Sequence, residues 1–214
     1  MKSYKAILYD IDGTILNTME MNMVPLQRII KEETGEDWDY KDVLRFVPYP
    51  GMKVMEELGV KEPEKTYARW VSYVNSYEKG AVLYDGFMEV FQSFHGKMKQ
   101  AIVSAKRKKQ YEIDFVSKGL DTFMDVAVLA EDTTKHKPDA QPILLCLKKL
   151  GLKKEEVIYI GDAKSDYECC LRAGVDFGYA VWGSVDNKGI TNPTYIFHQP
   201  KDLLKLLNKE ENEL

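Results

Sequence analysis

The sequence predicts an α/β fold, a doubly wound and mainly parallel sheet interrupted early by a helical insert. Three observations carry this. From Asp85 onward, short apolar runs alternate with amphipathic helical patterns, the rhythm of βαβ units. The first apolar run, AILY at 6–9, meets its next strand-like partner, KQAIVSA at 99–105, only after a long and mostly helical stretch. A parallel crossover needs only about 30 residues, so that stretch holds an insert. The turn-prone Asp-Gly pair in LYDG, 83–86, marks the return. The expected organisation is a core of residues 1–16 and 83–214 carrying an α-helical domain at 17–82.

Each element follows from local pattern. In the insert, MNMVPLQRIIKEETG and VMEELG read as helices stopped by Gly35 and Gly59. PEKTYARWVSYVNSYEKG starts on proline and acid and runs to Gly80. Its Tyr67, Trp70, Val74 and Tyr77 share one helical face, the expected core of the insert. In the main domain, DGFMEVFQSFHG is helical, KQAIVSA is a strand leading into a basic helix, and DVAVLA is a further strand. QPILLCLKKLG is a helix closed by Gly151, EVIYIGD a strand, and KSDYECCLRAG a helix closed by Gly174. GYAVWG and TYIF are short strands, PKDLLKLLNK a closing helix, and the acidic tail KEENEL is expected to fray.

Bulk properties exclude several classes. The 214 residues suit one core domain with a smaller insert. Hydrophobic content of 44% with 30% charged residues is globular. A net charge of −4 offers no basic footprint, so neither nucleic acid nor membrane is an expected partner. Cys146, Cys169 and Cys170 have no disulfide or zinc spacing, which favours a reducing compartment. No apolar run approaches the roughly 18 residues of a membrane span. The N-terminal run is cut by Asp10 and is no signal peptide. The expected location is cytoplasmic.

The chemistry sits at strand ends. In YDIDGT, 9–14, Asp10 and Asp12 follow a buried run, and residues two apart in extended chain face the same way. Gly13 lets the backbone turn, and Thr14 adds a hydroxyl. AIVSA places Ser104 and Ala105 at a second strand end, where a hydroxyl and a backbone N–H could hold a phosphate oxygen. KHKPDAQP puts Lys137 after a third strand and before a helix, and VIYIGDAKSD puts Asp162 and Asp166 after a fourth. Singly, each has an ordinary explanation as a turn, cap or solvated side chain. Together they form the inventory of phosphoryl transfer: a carboxylate nucleophile, an acid/base, oxygen ligands for Mg²⁺, and a hydroxyl and lysine for phosphate charge. The calcium-loop reading of D-x-D-G fails for want of further ligands.

With these four stations in this order, the chain resembles the haloacid dehalogenase superfamily. DIDGT, Ser104, Lys137 and GDAKSD match its four motifs, over nearly the whole chain. LYDG, KPDAQPILLCLKKLG, LRAGV and AVWG are similar to its phosphoglycolate phosphatase and pyrophosphatase-like branch. The resemblance implies a Rossmann-like core with a helical cap, acting as a phosphatase on a small phosphorylated metabolite, as a monomer or weak homodimer. It implies that Asp10 attacks phosphorus, and that Asp12 protonates the leaving oxygen and then activates water. Mg²⁺ would be held by Asp10, the Asp12 backbone carbonyl and Asp162, with Asp166 in support. Ser104 and Lys137 would clamp the phosphoryl oxygens, with Thr14 and Ala105 on the substrate-binding side. Asn17, Ala105 and Ala140 depart from residues frequent in relatives, and all three border the leaving-group side.

Competing readings differ at named features. Dehalogenation does not use the second acid, and Asp12 is present. A sugar-phosphate mutase of the β-phosphoglucomutase kind shares the core and differs in how its cap shields the intermediate. Phosphonate cleavage would want a cap lysine, and nothing singles out Lys31, Lys41 or Lys53. A phospho-acceptor signalling module is shorter and has no insert. Arg45, Arg69 and the PGMK turn at 50–53 are candidate cap contacts to substrate. His95, His136 and His198 lack ligand spacing and are expected at the surface.

Overall fold

The computed structural model describes residues 1–47 and 49–207. It opens on β1 (Ala6–Tyr9), every residue of which is fully buried. A short β2 (Leu16–Asn17) leads into four helices, α1 (Met19–Thr34), α2 (Tyr40–Val43), α3 (Gly51–Leu58) and α4 (Pro63–Asn75). The chain returns through β3 (Val82–Leu83), which pairs with β2 as a separate two-stranded sheet. Then follow α5 (Phe87–Phe94), β4 (Lys99–Val103), α6 (Lys108–Asp114), β5 (Val126–Val128) and α7 (Gln141–Leu150). The last elements are β6 (Val157–Gly161), α8 (Lys164–Ala173), β7 (Asp176–Ala180) and β8 (Tyr195–Phe197). The chain divides into two compact units, Asn17–Val82 and the remainder.

The large unit is a six-stranded sheet ordered β5-β4-β1-β6-β7-β8, parallel throughout. The central strands β1 and β6 are buried throughout, so they are continuous apolar runs. One face packs Ala6, Leu8, Ala101, Val103 and Tyr159 against Ile143 and Cys146 of α7 and Cys169 and Cys170 of α8. On the other, Tyr9 meets Phe87 and Phe91 of α5 edge-on. The polar atoms there are satisfied: the Tyr9 hydroxyl donates to Gln100 Oε1 at 3.1 Å, and Gln100 Nε2 donates to the Phe91 carbonyl at 3.0 Å. All three cysteines are buried free thiols.

Register places the site. Tyr9 lies level with Ile102 of β4 and Ile160 of β6, so these three strands end together. The chain proceeds from β1 to β4 and β5 on one side, and later to β6, β7 and β8 on the other. Such a reversal opens a crevice beyond the carboxyl ends of the strands.

The helical unit has its own core. Trp70 and Val74 of α4 are buried with Ile29 and Ile30 of α1, and the Trp70 indole donates to the Asn22 carbonyl at 2.9 Å. Tyr77 lies beyond the end of α4, which stops at Asn75, and its hydroxyl donates to Glu20. The expected face therefore narrows to its buried members. Arg69 is paired with Glu33, and Arg45 lies over the rings of Trp38 and Phe46. The PGMK stretch is no free turn, because Gly51 begins α3.

Two further expectations are corrected. Val181–Gly183 does not extend β7; it turns as a 3₁₀ segment. The turn packs this segment onto the loop after β1, so closely that a Cβ on Gly183 would stand 1.5 Å from the Gly13 carbonyl oxygen. The Trp182 indole donates to the Thr14 carbonyl at 2.9 Å, so this segment brackets the loop after β1. The closing helix is 3₁₀ over Pro200–Leu206. Its last expected residues, Asn208 and Lys209, and the KEENEL tail lie outside the described residues.

Because the Gly13 carbonyl fills the space a side chain would need, Gly183→Ala is expected to destabilise the fold by about 1–3 kcal/mol. Urea unfolding checks this through a lower midpoint at unchanged slope.

Candidate active site

Asp10 follows β1 directly and is 8% exposed. Its backbone N–H donates to the Ile160 carbonyl at 3.0 Å, continuing the ladder one residue past the strand. Oδ2 meets Lys137 Nζ at 2.9 Å, whereas Oδ1 is buried without a hydrogen-bond partner. Burial pushes the Asp10 carboxyl up to about 6; Lys137 opposes that shift, and Asp166 and Asp12 add to it.

Lys137 is 6% exposed in its side chain and sits between Asp10 and Asp166, with Asp166 Oδ1 at 2.6 Å. Burial alone would lower its pKa, but the two carboxylates outweigh burial and raise it, so the ammonium stays charged. Asp166, fully buried in the first turn of α8, also accepts the Ala163 N–H at 3.1 Å. Asp162 ends the β6 segment beside them. Burial raises its pKa well above the ordinary aspartate value, reinforced by Asp166 and Asp10 and opposed by a hydrogen bond from Thr14.

One carboxylate oxygen from each of Asp10, Asp162 and Asp166 lies within 4.8 Å of the others. Two buried acids, Asp10 and Asp166, and the partly buried Asp162 face one lysine, an excess of negative charge that burial penalises heavily. Asp10, whose Oδ1 is orphaned, is a member of the cluster. An all-oxygen donor set with surplus negative charge fits a hard divalent cation such as Mg²⁺. Gly13 is required here: its φ is +79°, and a Cβ would stand 2.3 Å from Asp162 Oδ2.

The other predicted residues fall at the same crevice with distinct partners. The buried Thr14 hydroxyl donates to Asp162 Oδ1 at 2.8 Å, which orients a carboxylate of the cluster. Ser104 is 6% exposed just past β4; its N–H is used by the Val128 carbonyl, and its Oγ accepts the Lys106 N–H at 3.3 Å. Ala105 is exposed in the bend that follows. Asp12, with a side chain 40% exposed, is held by Lys106 Nζ at 2.9 Å. His95, His136 and His198 are exposed.

Two site residues escaped the sequence reading. Lys106 belongs to the run KRKK, which reads as a solvated basic helix start, and its burial was invisible. Tyr159 lies inside the apolar run of β6. Its hydroxyl donates to the Val103 carbonyl at 2.8 Å and accepts from Lys137 at 3.2 Å, buttressing the lysine from below. The only available signal was a hydroxyl at an inward position two residues before Gly161.

With the geometry established, comparison with known proteins is informative. The family model for haloacid dehalogenase-like hydrolases matches residues 7–180. Pyrophosphatase PpaX of Halalkalibacterium halodurans is 28% identical over 206 residues, covering 94% of this chain and 95% of the relative. Pyrophosphatase PpaX of Listeria innocua is 28% identical over 213 residues, covering 96% and 97%. The crystal structure of a Lactobacillus plantarum protein assigned as a phosphoglycolate phosphatase superposes with a TM-score of 0.85 at 29% identity, covering 95% of this chain and 99% of that one. The match spans both the strands that carry the acids and the segments between them, and the chain belongs to the haloacid dehalogenase-like hydrolase family, as an enzyme of the phosphoric-ester-hydrolase kind.

Proposed function

We propose that the protein is a Mg²⁺-dependent phosphatase of small phosphorylated metabolites that works through an aspartyl-phosphate on Asp10, in the manner of phosphoglycolate phosphatases. The observation that carries this reading is the unpartnered Asp10 Oδ1 within a cluster of acids, while Oδ2 is held by Lys137. The helical unit 17–82 is taken as the cap domain. The pyrophosphatase relatives, matched end to end, favour inorganic pyrophosphate as a second substrate to test beside phosphoglycolate.

The proposed chemistry runs in two halves. Asp10 attacks phosphorus, the bond to the leaving oxygen breaks, and Asp12 delivers a proton to that oxygen. Asp12 then removes a proton from water, which attacks the aspartyl-phosphate, releases orthophosphate and regenerates Asp10. Ser104, the N–H of Ala105 and Lys137 hold the phosphoryl oxygens, and Lys137 keeps the Asp10 carboxylate ionised for attack. Mg²⁺, held by Asp10, Asp162 and the Asp12 carbonyl with Asp166 in support, would supply the positive charge that offsets two approaching anions. Thr14 orients Asp162.

The test is orthophosphate release from phosphoglycolate, pyrophosphate, sugar phosphates and p-nitrophenyl phosphate, with Mg²⁺ or EDTA. Wild type is expected to need metal, and Asp10→Asn to lose activity by about 10³-fold or more. A folded, metal-replete wild type inert toward the whole panel would overturn the reading.

Metal binding has a signature independent of turnover. Asp10 and Asp162 both carry raised pKa values in the folded chain. Folded protein then binds more protons than unfolded chain, so the stability these groups contribute falls as pH rises, for Asp10 from about 4 through 6. Protons and Mg²⁺ compete for the same oxygens. The rise in Tm on adding Mg²⁺ is therefore expected to be larger at pH 7.5 than at pH 5, and to shrink in Asp162→Asn. Thermal scans with and without EDTA check both.

A further inference from the structure

Lys106 is a buried cation that the phosphoryl clamp does not use. Its side chain is 7% exposed, and Nζ bridges Asp12 Oδ1 at 2.9 Å and Asp114 Oδ2 at 2.8 Å. Asp114, the last residue of α6, is 3% exposed, and both its oxygens also accept from Gln110 Nε2 at 3.0 Å. The Lys106 backbone is fixed as well. Its N–H donates to Ser104 Oγ at 3.3 Å, and its carbonyl accepts the Ala130 N–H at 3.1 Å. A continuous polar chain thus runs from the packed end of α6 through Lys106 to a half-exposed carboxylate at the crevice.

We propose that Lys106, anchored by Asp114, is a positioning residue that holds the Asp12 side chain where it can deliver its proton to the leaving oxygen. The inference rests on the phosphatase reading above. An aspartate so exposed, left unpaired, would sample several rotamers, and proton transfer needs heavy atoms within about 3 Å. Displacement by about 1 Å can cost on the order of 10²-fold. A purely structural lysine would be satisfied by Asp114 alone. This one spends a second bond pointing out of the core to the acid/base. Burial opposes the charged form, and Asp12 and Asp114 more than compensate, leaving Lys106 an ammonium with a raised pKa.

A positioning role depends on the leaving group. An aryl oxide departs with little protonation, whereas an alkoxide needs its proton. The experiment measures kcat/KM at saturating Mg²⁺ for p-nitrophenyl phosphate and glycerol phosphate in wild type, K106M, K106R and D114N. In K106M the alkyl-to-aryl ratio of kcat/KM is expected to fall about 10²-fold, with K106R recovering most of it and D114N shifting it the same way by about 10-fold. An active wild type with an unchanged ratio in K106M overturns the proposal, because lost folding or lost substrate binding lowers both esters alike. Should K106M fail to fold, an unchanged ratio in folded D114N overturns it equally. A wild type inert toward the whole panel above, these two esters included, sinks the phosphatase reading and this proposal with it, which separates the two failures.

Discussion

The charge cluster beneath the carboxyl ends of β1, β4 and β6 is the constraint to which the rest of the large unit answers. Lys137 spans Asp10 and Asp166, and each partner arrives from a different segment of the chain. Removing water from such a group is tolerable only when every charge meets its counterpart at short range. The sheet supplies that precision through register: β1 and β6 end level, which brings Asp10 beside the loop that carries Asp162. Tyr159 and the first turn of α8 then lock the lysine and Asp166 from the core side. Balance remains incomplete, and the surplus negative charge is what makes the cluster receptive to a divalent cation.

The same logic divides the site into two polar assemblies of different character. Around Asp10 three acids share one lysine away from bulk solvent. Around Asp12 one lysine is shared by two acids, and Asp12 itself is open on one side to solvent. Two carboxylates separated by a single residue are thus held in different environments, one buried beside Lys137 and the other partly exposed beside Lys106. Ile11 between them is fully buried and pins the backbone at the point of divergence.

Much of this was legible in the sequence for a physical reason. Acids directly behind apolar runs are costly, so Asp10, Asp162 and Asp166 stood out once read together. Glycine stops bounded α1, α3, α7 and α8 because a helix end leaves a recognisable residue. What escaped depends on tertiary context. Lys106 looked like its neighbours Arg107, Lys108 and Lys109, and only Asp114 at the far end of α6 draws it inward. The 3₁₀ turn at Val181–Gly183 lays Gly183 against the Gly13 carbonyl, a contact across nearly the whole chain that no local period reports. Thr14 was readable as a hydroxyl near the crevice, but its partner Asp162 was not.

The order of the strands has a consequence for how the molecule is made. β1 lies at the centre of the sheet, yet its neighbours β4 and β6 begin only at Lys99 and Val157. At about 5–20 residues per second of synthesis, β1 waits roughly 7–30 s for its second partner. Through that interval β1 has at most β4 beside it, while every residue of the helical unit is made before β4 emerges. The small unit, rich in local contacts, can fold first, and the acid cluster is assembled last, when β6 docks and brings Asp162 to Asp10. A nascent chain stalled before Val157 therefore carries both Asp10 and Lys137 but lacks the acids that complete the charge set.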